Sequence, residues 1–126
     1  MSENLALFNI GGFYETRREI TPELLTAFCE ISGDDNPVHL DDDFARAHGF
    51  QSRIAFGNIM GLMISRLIGA ELPTREVLIL TQSLEFRQPA YVGDNIHLIA
   101  EVISIHKAVS SVQLKLQFYS VDLEPI

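Results

Sequence analysis

The amino-acid sequence predicts an α+β fold in which an antiparallel sheet wraps around one buried central helix. Three observations predict it. Residues 57 to 69, GNIMGLMISRLIG, are apolar on nearly every side and carry a single charge; a helix hydrophobic all round is a buried one. Residues 112–118 alternate apolar with polar side chains, and Ile96, Leu98, Ala100 and Val102 set an apolar residue at every second position of 96–102, the period of strands with one packed and one solvated face. A capped amphipathic segment at 21–33 supplies a second, shorter helix.

Residues 5–18 read as a first strand, with Gly11 and Gly12 at a bulge or bend. Thr21 is then a good N-cap, Pro22 suits the first helical position, and Glu23 faces the positive helix end. Ile20 and Leu25 occupy the positions of a hydrophobic staple. This helix is expected to run to Ser32, to bury Leu24, Leu25, Phe28 and Ile31, and to end at Gly33. Residues 34–53 form a long irregular excursion with one turn of helix near 41–47, and excursions of this kind in small domains usually carry function. In the central helix, Gly57 and Gly61 stand four apart, so one face admits another backbone; Gly69 and Pro73 end the element.

Three strands follow. Leu78, Leu80, Leu84 and Phe86 alternate with Thr81, Ser83 and Glu85, and only Gln82 breaks the apolar face. Ile96, Leu98, Ala100 and Val102 line one face of the next strand. Val112, Leu114, Leu116 and Phe118 line one face of the last.

Composition bounds the function. A chain of 126 residues is expected to form one domain, 1–126, with one real core. The formal charge of −8 argues against a nucleic-acid partner, because phosphate binding needs clustered cations. A single Cys29 forms no internal disulfide, so a reducing, cytoplasmic home is expected. No basic residue precedes an apolar run near the N-terminus, and the longest apolar stretch, 59–64, is far too short for a membrane span.

The chemistry concentrates in residues 31–41, ISGDDNPVHLD. Gly33 ends a helix, and Asn36 and Pro37 force a bend. Asp34 and His39 therefore sit on a segment built to turn, where a carboxylate and an imidazole can share one water. Two proton-handling groups around one water are the minimum equipment for adding or removing water. His39 with Asp41, Asp42 and Asp43 fits no zinc or EF-hand spacing, so no metal is expected. No G-x-S-x-G is present, which sets a serine hydrolase aside.

Residues 28–45, FCEISGDDNPVHLDDDFA, resemble the signature of the MaoC-like dehydratases of the (R)-specific enoyl-CoA hydratase type. Residues 53–57, RIAFG, are similar to the family's entry to its central helix, and 84–94, LEFRQPAYVGD, to its strand-and-turn element. Together these cover roughly residues 20 to 105 in the family's order. The resemblance implies a hot-dog fold, no metal or redox cofactor, and hydration of a trans-2-enoyl thioester to the (R)-3-hydroxyacyl product. It implies that Asp34 and His39 hold the water and that the backbone N–H of Gly57 polarises the thioester carbonyl. It also matches Ser65 to a supporting serine that faces the site. Asn36 holds the loop beside the substrate.

The sequence departs from the family twice. Phe56 stands where a histidine is usual, and is expected to form an apolar wall of the acyl pocket. Family members also continue after residue 119 with a turn and another strand, so the sheet is expected to be one strand short at its C-terminus. An acyl-CoA or acyl carrier protein thioester would be the substrate, with Arg53, Arg66, Arg75 and Arg87 as a positive patch for its anionic carrier. Pairing of hot-dog sheets implies a homodimer at least, with the C-terminal tail helping to cover the free edge. A hot-dog thioesterase and a non-catalytic acyl-binding subunit of a dehydratase assembly are the rival readings.

Overall fold

The computed structural model describes residues 2–120. Its order is a 3₁₀ turn at Ser2–Leu7, strand β1 (Phe13–Glu19), helix α1 (Pro22–Ser32), helix α2 (Asp42–Ala47), helix α3 (Ile59–Arg66), strand β2 (Asn95–His106) and strand β3 (Ser111–Tyr119). The three strands form an antiparallel sheet in the order β1-β2-β3. Leu98 stands between Thr16 on one side and Phe118 on the other.

The expected alternation of β2 is present: Ile96, Leu98, Ala100 and Val102 are all buried. Helix α3 packs Ile59, Met60, Met63 and Ile64 into the same core, and α1 adds Leu24 and Leu25. Burying large aliphatic side chains contributes roughly 1.5–3 kcal/mol each before the entropy of ordering is charged against it. The central helix is thus wrapped on its sheet-facing side. Its outer side is not apolar throughout contact: Leu62, Ser65 and Arg66 are exposed.

Helix α1 starts as its sequence dictates. The Thr21 hydroxyl accepts from the Leu24 N–H at 3.1 Å, and Gly33 ends the helix at φ +77°, where a side chain would be strained. Ile31 corrects the expected core: it is 88% exposed, because the last turn carries it past the packed cluster.

Two strand expectations also change. Residues 5–18 are not one strand. The chain makes a 3₁₀ turn first, and Gly11, at φ +84°, swings it onto β2 through Gly11 N–H to the Val102 carbonyl at 2.8 Å. Residues 77–87 have the alternation of a strand but join no ladder among the described residues. Alternation records the two faces of an extended chain and says nothing of who hydrogen-bonds its edges. The tail at 121–126, expected to cover an edge, lies outside the described residues.

Candidate active site

The turn that follows α1 is built from successive side-chain-to-backbone hydrogen bonds. The Ser32 hydroxyl accepts from the Asp34 N–H at 3.0 Å, Asp34 Oδ1 from the Asn36 N–H at 3.1 Å, and Asn36 Oδ1 from the Val38 N–H at 3.1 Å. Short polar side chains bond their own backbone in this way, which is why the run bends rather than continuing as helix. Asn36 therefore holds the loop, as its sequence context implies. Asp41 repeats the device one turn later, capping α2 by accepting from the Asp43 and Phe44 N–H groups at 2.9 and 3.2 Å.

His39 is half-buried at the end of this turn. Its Nδ1 lies 2.9 Å from the Ile54 carbonyl oxygen. A carbonyl only accepts, so Nδ1 carries the proton, and Nε2 is the nitrogen left for a ligand, a lone-pair acceptor in this tautomer. The ring also stacks on Phe56 at 4.1 Å between centroids, and Phe56 stacks in turn on Phe28 at 4.6 Å. One edge of the imidazole is pinned by a hydrogen bond and one face by an aromatic ring, so its orientation is set before any ligand arrives.

Gly57 supplies the second component. It opens the first turn of α3, where its carbonyl accepts from the Met60 N–H at 3.0 Å. Its own N–H makes no hydrogen bond among the described residues. An orphan donor at a helix N-terminus, at the positive end of the helix dipole, is suited to an oxygen that gains negative charge. The Phe86 ring lies over this point, 3.2 Å from where a Cβ on residue 57 would sit. The close approach expected at this glycine is therefore made by an aromatic side chain, not by another backbone, and Gly61 meets nothing within 4 Å.

His39 and Gly57 line one cavity of about 380 Å³, whose other walls include Ile54, Ala55, Phe86 and Arg87. Glu85 hydrogen-bonds the Arg87 guanidinium at 3.0 Å, which with its charge holds Arg87 above the usual arginine range. The four arginines expected to form one patch do not gather here. Only Arg87 lines this cavity; Arg66 lines a different cleft, and Arg75 reaches the Gly69 carbonyl at 3.4 Å. Asp34 is exposed on the same turn as His39 without lining the cavity. Phe56, expected as a wall of the acyl pocket, is 2% exposed and lines neither cavity, touching His39 by its stack; Ser65 lies exposed on α3 and also lines neither cavity. Among the described residues, no group of three His, Cys, Asp or Glu side chains is placed to hold a metal, and no helix is long and apolar enough to cross a membrane.

The role of Phe86 and the Ile54 carbonyl was not visible in the sequence. Phe86 reads there as one more inward position of a strand, and a backbone carbonyl leaves no signal at all.

Residues 9–119 match the family model of the MaoC like domain. The chain belongs to the MaoC-like dehydratase family. It is 34% identical over 101 residues to a mitochondrial 3-hydroxyacyl-[acyl-carrier-protein] dehydratase of Arabidopsis thaliana, a match covering 80% of this chain and 60% of that protein. It is 36% identical over 83 residues to an (R)-specific enoyl-CoA hydratase of Aeromonas caviae, covering 66% of this chain and 62% of that one. The chain thus spans less than two thirds of the length of either relative. Among solved structures it superposes on the R-hydratase PhaJ1 of Pseudomonas aeruginosa with a TM-score of 0.90 at 30% identity, covering 97% of this chain and 78% of that one. The expected hot-dog-like architecture of this MaoC-like chain is therefore established.

Proposed function

We propose that this MaoC-like chain adds water to a trans-2-enoyl thioester, giving the (R)-3-hydroxyacyl thioester, and catalyses the reverse dehydration. The observation that carries this reading is the meeting of the His39 imidazole and the unpartnered Gly57 N–H in one cavity. Asp34 and the bare Nε2 of His39 both accept, and together they hold one water by its protons. As the water oxygen bonds to the β-carbon, one of its O–H bonds breaks toward this pair, which passes that proton on to the α-carbon, so H and OH of one water are added across the double bond. Negative charge gathers meanwhile on the thioester oxygen, and the Gly57 N–H receives it. Such donors act strongly because they are already oriented when the charge appears. The acyl group would arrive on coenzyme A or on an acyl carrier protein. A reducing, cytoplasmic setting fits the single free Cys29.

Incubation with crotonyl-CoA tests this. Loss of the enoyl absorbance without thiol release is the expected result. Thiol release would mean a thioesterase, and no change would mean a non-catalytic subunit.

Assembly belongs to the same proposal. Leu78 and Leu80 are 84% and 78% exposed on an extended segment without a ladder, and an apolar strand edge is a liability in a soluble monomer. A symmetric dimer that covers this segment is the expected state. Sedimentation as a monomer at micromolar concentration would count against it.

Phe56→His tests the aromatic stack. It keeps a flat ring against His39 but adds polar atoms at a buried position. The folded state should persist, while rate or chain-length preference shifts by less than about tenfold, as suits a group outside the proton transfers. A circular-dichroism melt paired with initial rates on short and medium enoyl thioesters reads both effects.

A further inference from the structure

A second cleft lies between β1 and α3, and its lining shares no residue with the His39–Gly57 cavity. It measures about 180 Å³, where one water needs only about 10–15 Å³. Its apolar surface comes from Leu24, Ile59, Leu62 and Met63. Three of these are buried in the core, while Leu62 is 49% exposed. Arg17, Arg18 and Arg66 complete the lining. Three of the chain's nine Lys and Arg residues thus rim one cleft of a protein with a formal charge of −8. Arg17 and Arg18 form no ion pair among the described residues, and Arg66 has only a long, exposed one, 3.6 Å to Glu71.

We propose that this cleft is a separate binding site for a single-tailed amphipathic carboxylate. The alkyl segment lies on Leu62 and Met63, and the carboxylate meets the guanidinium groups of Arg18 and Arg66; Arg17, next to Arg18 on β1, belongs to the sheet's other face with Glu15 and His97. The physical case is complementarity of two kinds in one place. A guanidinium fork matches the two oxygens of a carboxylate, and the adjoining aliphatic floor removes a tail from water. Neither half suffices alone, because an isolated surface ion pair contributes little. The competing account is that the arginines guard the free edge of β1, whose ladder among the described residues runs only to β2, against pairing with another chain. Guarding requires charge alone and predicts no saturable ligand.

Titration of the whole chain with octanoate, followed by amide and methyl NMR, separates these accounts. Saturable shifts at Thr16, Leu62 and Met63 are expected, with acetate and octanol each binding about tenfold or more weakly for want of a tail or a charge. Arg18→Gln and Arg66→Gln should each weaken octanoate by about tenfold while the thermal melt stays in place, whereas Arg17→Gln should leave the affinity unchanged. Absence of saturation, shifts confined to His39 and Phe86, or equal binding of octanol would overturn the proposal. Tighter binding of octyl phosphate than of octanoate would overturn the carboxylate assignment. Because the readout is binding at residues outside the His39 cavity, it stands or falls independently of the hydration reading.

Discussion

Asp34→Asn is expected to slow hydration of an enoyl thioester by about 10²- to 10⁴-fold, the usual contribution of a general acid or base. Asparagine keeps the side-chain oxygen that accepts the Asn36 N–H, so the turn survives and the loss is chemical. His39→Ala should cost a similar factor, with a second consequence. It leaves the Ile54 carbonyl without its partner and removes a ring from the face of Phe56, so stability should fall by about 1–3 kcal/mol. The two side chains act on one water, and the double variant should therefore be little slower than the slower single. Absorbance kinetics on purified proteins, with denaturant melts beside them, distinguish the chemical loss from the structural one. Asp34→Asn with near-normal rate, or product of (S) configuration, would overturn the assignment.

Leu98→Ala is expected to destabilise the fold by about 2–5 kcal/mol, a large share of the roughly 5–15 kcal/mol that holds a domain together. Leu98 is fully buried in the middle strand. Both flanking strands fix its position, so the structure has little freedom to collapse into the space left behind. Ile31→Ala removes a comparable side chain that is 88% exposed, and should change stability by no more than about 0.5 kcal/mol. Urea unfolding followed by circular dichroism would show a lowered midpoint with an unchanged slope for the first, and an unmoved midpoint for the second.

These two substitutions mark how far local pattern reaches. Leu98 belongs to a strand whose alternation reports its buried face directly. Ile31 has the right spacing on a helix, yet spacing gives the direction of a side chain and not what stands in that direction. The site divides in the same way. The turn that carries Asp34, Asn36 and His39 was legible because it is made by neighbours in sequence, with Asp34 and Asn36 each bonding a backbone group two residues on. Gly57 was legible as a helix-start glycine. The Phe86 ring above it comes from a segment 29 positions later, and the carbonyl that sets the tautomer of His39 comes from Ile54, with Phe56 stacked beside it.

What the amino-acid sequence determined by itself is what depends on nearby residues. The cap at Thr21, the left-handed stop at Gly33, the bends of residues 34–39, the turn of helix near 41–47 and the two-residue period of β2 are all of this kind. What only the tertiary structure decided is which distant groups share a volume. It placed His39 with Gly57 and Phe86 in one cavity, sent Arg66 to Arg17 and Arg18 and not to Arg87, and left residues 77–87 without a ladder among the described residues. The reason is physical: turns, caps and alternation are energies of adjacent residues, whereas a cavity is the shape that remains after elements far apart in the chain have packed.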